Sequence, residues 1–203
     1  MGESDMKKLL SLVVMCGLLA FALQANALSI TPNSNSLKLS GAGVVDAQGH
    51  PLTGTSAILT YIENHYTGFN RNMELFKWDA GQNGTPPTQS GGLKDSYNAS
   101  FNFDLSGGTI SLSSSALSVF DSSQPIYMIV KDGNNSPFWY FFDLTNLWNG
   151  IDDLVLSGFW NDNGSISHVS LYGTSAPVPE PATMLLLGSG IVGLVGFRKK
   201  FKA

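Results

Sequence analysis

Two apolar runs bordered by lysine or arginine bracket this chain, and they limit what can fold to the stretch between them. The first follows Lys7 and Lys8, extends over 9–23 and leads to Ala25-Asn26-Ala27. A basic start, a short apolar run and a small-x-small site form the order of a secretory signal, with cleavage after Ala27. The second follows Val178-Pro179-Glu180-Pro181, extends over 182–197 and ends in Arg198, Lys199, Lys200, Phe201 and Lys202. Its 16 residues give about 24 Å as a helix, somewhat under a bilayer core of about 30 Å, and snorkelling basic side chains with local thinning accommodate the difference. The basic cluster predicts a cytoplasmic end, so the preceding domain faces outward. The expected organisation is a signal peptide at 1–27, one domain at 28–176 and a sorting segment at 177–203. A retained N-terminal membrane helix and a lipidated Cys16 are the alternatives at the first end. Met15 is a poor neighbour for lipidation, and the apolar run continues past Cys16.

The middle stretch of 149 residues is long enough for one sizeable core. It holds five cationic and twelve acidic residues, a net charge of −7. Nucleic-acid binding depends on Lys and Arg neutralising phosphates, so this balance argues against it. Cys16 is the chain's one cysteine, so the exported domain has no disulfide and depends on apolar burial.

Short strand-like runs recur between turn residues at 36–39, 56–62, 73–78, 97–105, 109–112, 126–131, 138–144, 154–160 and 166–172. Tyr97, Ala99, Phe101, Phe103 and Leu105 alternate with polar residues, the period of a half-buried strand. Asp132-Gly133 and Asn163-Gly164 are hairpin-type turns, and 82–92 is a Gly/Pro-rich loop. No segment shows sustained helical periodicity with caps. The expected fold is all-β, an antiparallel β-sandwich of jelly-roll-like type, with a signal helix before it and a transmembrane helix after it.

The tail residues also carry a resemblance. Pro179-Glu180-Pro181, a short apolar helix and an Arg-Lys cluster resemble the PEP-CTERM sorting signal of Gram-negative bacteria. The resemblance implies processing by exosortase, a membrane-embedded transpeptidase-like enzyme, with transient anchoring in the inner membrane and then a cell-surface or matrix location. It also implies association with exopolysaccharide and biofilm-forming cells. A plain membrane anchor is the alternative. Within the body, 129–133, 142–144, 148–150, 156–160 and 166–173 resemble a subgroup of the same proteins, a likeness of architecture that implies no activity.

The domain offers little catalytic material. Its histidines are His50, His65 and His168, with no pair at the i, i+4 spacing of a helical zinc site. There is no Gly-x-Ser-x-Gly elbow and no Walker or dinucleotide glycine pattern. Glu63, Glu74 and Asp104 are the candidate carboxylates for a glycosidase pair, whose separation only a structure fixes. No enzymatic activity and no cofactor are expected. Ca2+ is the alternative, because Asp132-Gly133-Asn134-Asn135, Asn161-Asp162-Asn163-Gly164 and Asp152-Asp153 gather hard oxygens. The same residues are ordinary in tight turns, and neither loop has the EF-hand pattern.

The aromatic run Phe138-Trp139-Tyr140-Phe141-Phe142 places Phe138, Tyr140 and Phe142 on one face of a strand and Trp139 with Phe141 on the other. One face belongs to the core, and the other lies under a loop or is exposed. An exposed ring docks a sugar face well, so Trp139, Trp148 and Trp160 are the candidate glycan contacts, with core packing as the preferred reading of the same rings. Three function classes follow: a structural or interaction component of the cell surface or matrix, a lectin-like module, or an enzyme. The first is the reading adopted.

The absence of cysteine from 28–176 has a direct consequence. The isolated segment is expected to fold as a soluble β-rich monomer whose melting temperature is unchanged by dithiothreitol. A reductant-sensitive melt or a helical circular-dichroism spectrum contradicts this.

Overall fold

The computed structural model describes residues 26–81, 85–102, 107–132, 134–160, 164–177 and Ser189. Among the described residues, twelve strands run β1 Ala27–Ile30, β2 Leu37–Ser40, β3 Glu74–Asp79, β4 Thr88–Ser90, β5 Tyr97–Asn102, β6 Gly107–Leu112, β7 Ser118–Phe120, β8 Tyr127–Lys131, β9 Trp139–Asp143, β10 Asp153–Leu156, β11 His168–Tyr172 and β12 Ser175–Pro177. One α-helix, α1 Thr55–His65, and a 3-10 turn at Arg71–Met73 separate β2 from β3. The expected signal helix, and all of the expected transmembrane helix but Ser189, lie outside the described residues.

The strands form a four-stranded sheet in the order β1-β10-β6-β5, a six-stranded sheet in the order β2-β9-β8-β11-β3-β4, and a small β12-β7 pair. Pairing is antiparallel except between β1 and β10, where Ala27–Ile30 run parallel to Asp153–Leu156. This one parallel pair corrects a wholly antiparallel expectation at the edge of the four-stranded sheet.

The two large sheets differ in how their faces are covered, and the sequence pattern follows. In the four-stranded sheet, Tyr97, Phe101, Ile110, Leu154 and Leu156 are buried, while Asn98 and Ser111 pair on the opposite face. That is the alternation of a sheet with one apolar face. In the six-stranded sheet, β8 is YMIVK, β9 is WYFFD and β11 is HVSLY, with four consecutive buried residues in each. Continuous apolar runs mark strands buried on both faces. One face presents Phe76, Trp78, Met128, Val130, Tyr140, Phe142, Val169 and Leu171, which share a single cluster with Ile30, Ile110, Leu154 and Leu156 of the other sheet. The opposite face presents Tyr127, Ile129, Trp139, Phe141 and Tyr172, which cluster with Ile58, Ile62 and Phe69.

The second cover is α1, and it replaces the strand expected at 56–62. Ile58 and Ile62 stand four residues apart, point the same way and are fully buried. The chain enters through Gly54, which has no capping side chain, and leaves at Tyr66, whose N–H donates to the Ile62 carbonyl. Thr, Ser, Asn and β-branched Ile give the segment modest intrinsic helicity, so packing sustains it. Each buried Ile contributes about 1.5–3 kcal/mol. Beyond the helix, Tyr66 and Phe69 pack edge-on against Phe141 with ring centres 5.0 and 5.2 Å away. Glu63 accepts from the Arg71 N–H at 2.9 Å and from its Nε at 2.8 Å, which clasps the return turn to the helix.

The expected 82–92 loop also contains β4, which pairs with β3 from Lys77↔Ser90 to Asp79↔Thr88. Gln89 secures it by donating through Nε2 to the Tyr97 carbonyl and accepting from the Ala99 N–H at 2.8 Å.

Replacing Ile62 with Ala removes buried volume between α1 and the sheet. The expected loss is about 2–5 kcal/mol in urea unfolding, with a weakened near-ultraviolet signal from the aromatic cluster. A change within ±0.5 kcal/mol, the range typical of surface positions, contradicts the assigned packing.

Candidate functional site

Register across β3, β11 and β8 gathers the polar side chains of the helix-covered face. His168 stands opposite Asp79 on one side and Lys131 on the other. Two residues along, Ser170 stands opposite Lys77 and Ile129. A period of two keeps all of these on one face. Together with Thr55, Ile58, Leu59 and Tyr172, the residues Lys77, Ile129, Lys131, His168 and Ser170 line a cleft between the sheet and the first half of α1.

Hydrogen bonding in this corner is dense. His168 Nε2 lies 3.0 Å from Asp79 Oδ2, and Lys77 Nζ lies 3.6 Å from the same oxygen. Asp79 also accepts from the Gly81 N–H at 3.2 Å. On the other side of the imidazole, Nδ1 is 2.8 Å from Ser167 Oγ, which is 2.9 Å from the Lys131 carbonyl. The hydroxyl has one hydrogen and donates to one of these two acceptors at a time. With His168 charged, Nδ1–H donates to Ser167 and Ser167 donates to the carbonyl, so both contacts are hydrogen bonds. Lys131 Nζ lies 3.3 Å from Thr55 Oγ1.

Electrostatics oppose that charged state. Burial lowers the His168 pKa; Asp79 pulls it back up, and Lys131 and Lys77 push it further down, with a net shift below the usual histidine value. Burial works against ionised Asp79, but the Gly81 N–H and the positive charges of His168 and Lys77 outweigh it and hold the carboxyl below its usual range. Burial lowers the Lys131 pKa, Lys77 adds to this, and Asp79 opposes it.

Ser167, His168 and Asp79 form a hydrogen-bonded chain, but Ser167 does not line the cleft. Its hydroxyl faces a main-chain carbonyl, so a substrate in the cleft does not meet it. The carboxylates considered for a glycosidase pair have separate partners. Glu63 clasps Arg71, Glu74 accepts from the Tyr172 hydroxyl at 3.0 Å, and Asp104 lies outside the described residues. His50 is 3.5 Å from Asp46 on the surface, and His65 stacks on Tyr61 with ring centres 3.9 Å apart.

The tryptophans are packed as core residues, and their burial goes against the glycan-contact alternative. Trp139, Trp148 and Trp160 are 0%, 2% and 9% exposed, so none presents a ring to a sugar. Trp139 lies beneath α1, edge-on to Tyr61 at 5.8 Å. Its Nε1 lies so close to Gly41 that a β-carbon there would stand 2.6 Å away. Trp148 Nε1 donates to the Asp152 carbonyl at 2.7 Å, and Trp160 Nε1 to the Pro137 carbonyl at 2.8 Å. Both rings belong to the core between the sheets.

Among the candidate Ca2+ loops, Asp132 uses Oδ1 to accept from the Asn134 N–H at 3.0 Å and Oδ2 to accept from Asn135 Nδ2 at 2.9 Å, a self-contained turn. Asp153 opens β10 and Asp152 precedes it. Gly133 and the Asn161-Asp162-Asn163 stretch lie outside the described residues. No group of three or more His, Cys, Asp or Glu arranged to hold a metal occurs among the described residues. Of the cleavage-site residues, Ala27 begins β1 and is exposed. Ala25, Val178, Pro179, Glu180, Pro181, Arg198, Lys199 and Lys200 lie outside the described residues.

Sequence reasoning noted His168 on a strand but missed Asp79, Lys77 and Lys131 as its neighbours. The only signal was the position of charged residues at the ends of otherwise apolar strands. The low His168 pKa yields a pH dependence with a defined sign. Unfolded His168 takes up a proton near pH 6.5, while the folded form resists it, so the unfolded state gains as pH falls. Stability is therefore full above that value and declines as pH drops toward the folded pKa. His168→Gln is expected to flatten thermal stability between about pH 7.5 and 5.5, the span across the ordinary histidine pKa. The His168 ring protons are expected to titrate below pH 6.5 in NMR. An equal pH slope in wild type and variant contradicts the assignment.

Comparison with known proteins concerns the tail alone. No curated protein and no solved structure matches the chain. A family model described as the PEP-CTERM protein-sorting motif matches residues 177–200, beginning at the last residue of β12. The chain thus carries a PEP-CTERM protein-sorting motif over 177–200, and that motif supports export and processing by exosortase.

Proposed function

We propose that this protein is exported through its signal peptide, held transiently in the inner membrane, cut at its Pro-Glu-Pro motif, and then serves as a structural or interaction component of the cell surface or matrix, associated with exopolysaccharide. The observation that carries this reading is the sorting-motif match at 177–200, directly abutting the last strand of the folded body. We read the body as a β-sandwich with α1 as a third layer. Its two apolar clusters suit a rigid, non-catalytic component.

The processing step has a physical rationale. Proline fixes its own φ and biases the preceding residue away from the α region, so the sequence Pro179-Glu180-Pro181 favours extended backbone when an enzyme grips it. Restricted neighbours reduce the entropy lost on binding. Glu180 is the one charge between β12 and the basic tail, which makes it the specificity contact. Arg198, Lys199 and Lys200 hold the far end of the apolar segment in the cytoplasm.

Glu180→Ala or Pro179→Ala is expected to leave full-length protein in the inner membrane, and deletion of 198–202 to loosen retention before cutting. Fractionation and intact-mass measurement of the chain, in hosts with and without exosortase, read both outcomes. A mature C-terminus that is the same in both hosts, or an uncut chain in the native one, contradicts the reading and leaves a simple anchor.

A further inference from the structure

The cleft beneath α1 is lined by Lys77 and Lys131, and of these two only Lys77 has a carboxylate partner among the described residues. Glu63 is matched by Arg71, and Asp79 is shared by Lys77 and His168. Lys131 has no carboxylate within ion-pair distance among the described residues; its ammonium meets the Thr55 hydroxyl. A partly buried cation without a counter-charge is costly. It stands in a domain whose net charge is −7, so an unmatched cation is a local exception to the overall charge. The facing helix has no acidic residue in its first turn. Ser170 adds a hydroxyl to the cleft, the Tyr172 hydroxyl already donates to Glu74, and the half-buried Leu59 supplies an apolar wall at the mouth, over the buried Ile58 and Ile129.

We propose that the mouth of this cleft binds a small organic carboxylate, with the carboxylate against Lys131 and Lys77 and its carbon body over the half-buried Leu59. The spare charge is close to one, because Lys77 already faces Asp79. One carboxylate balances it, whereas a doubly charged phosphate overfills it. The apolar wall favours a ligand with a carbon body over a bare inorganic ion. The carboxylate arrives either on a free organic acid or on a uronic acid sugar, since both offer the same two oxygens. This proposal concerns the body and goes beyond the processing reading; it is independent of the sorting motif, so either can fail alone.

The test is calorimetric titration of the full-length chain in detergent micelles. Butyrate and glucuronate are the acid probes, and butyramide and glucuronamide are their neutral counterparts. The expected result is saturable binding of at least one acid, no binding of its amide, and movement of the His168 ring resonances on addition of the acid. Tighter binding of glucuronate marks the sugar-borne source, and tighter binding of butyrate the free acid. Lys131→Gln is expected to weaken binding about tenfold or more, the range of a charged hydrogen bond. Lys38→Gln, at an exposed cation outside the cleft, leaves binding unchanged. If Lys131→Gln does not fold, Lys77→Gln and the acid-against-amide comparison in wild type decide. The proposal is overturned if neither acid saturates at tens of millimolar, if amides bind as well as acids, or if the folded lysine variant binds like wild type.

Discussion

The architecture depends on a sheet buried on both faces. Strands β8, β9 and β11 are too apolar to leave either side in water, so the chain must provide two covers. The four-stranded sheet is one, and it keeps its own polar outer face. The other is α1 with Tyr66 and Phe69, two rings that each pack edge-on against both Phe141 and Tyr127. Without that cover, Trp139, Phe141, Tyr127 and Tyr172 would form one exposed apolar surface, well beyond the scattered single residues normal on a monomer. The clasp between Glu63 and Arg71 and the hydrogen bond from the Tyr66 hydroxyl to Asp143 hold the end of this cover, so α1 is part of the folding unit.

Much of the strand content was legible, for a local reason. Apolar alternation in Tyr97–Asn102 and dense apolar runs in Tyr127–Lys131 and Trp139–Asp143 are properties of a few neighbouring residues. The helix was not legible because TSAILTYIENH carries weak local signals. It has β-branched residues, no capping side chain and an apolar stripe one turn wide. Its state is decided by the surface it meets, and that surface is assembled from strands up to 117 positions away, as with Tyr172. Strand order was hidden for a similar reason. The insertion of β11 between β3 and β8, and the parallel seating of β1 on β10, are long-range pairings without local marks. The three-residue strands β4, β7 and β12 are too short to show a period.

The site was less legible than the fold. Alternation correctly separated Tyr140 and Phe142 from Trp139 and Phe141, but it assigns faces and does not reveal what covers them. The glycan reading of the tryptophans therefore depended on a missing cover, and the helix supplies it for Trp139. Gly41 shows how closely that face is filled: its lack of a side chain makes room for the indole edge. His168 and Asp79 are 89 positions apart in the sequence, and only the antiparallel register makes them neighbours.

The location of the polar corner follows from where the second cover ends. The row across the outer face runs Asp79, His168, Lys131, Trp139, from charged to aromatic. Helix α1 lies over the aromatic end, with Tyr61 against Trp139, and its first residue reaches Lys131 through Thr55. Past that point nothing apolar is needed, and the sheet places ionisable groups against a partly dry wall. Charges there are held by rigid strands on one side and by a helix on the other, which lowers the cost of ordering them around a ligand. The sorting motif begins at the opposite kind of boundary, where the chain leaves β12 at Pro177. Delivery and recognition are thus written in separate parts of the chain, and a change in one leaves the physical basis of the other intact.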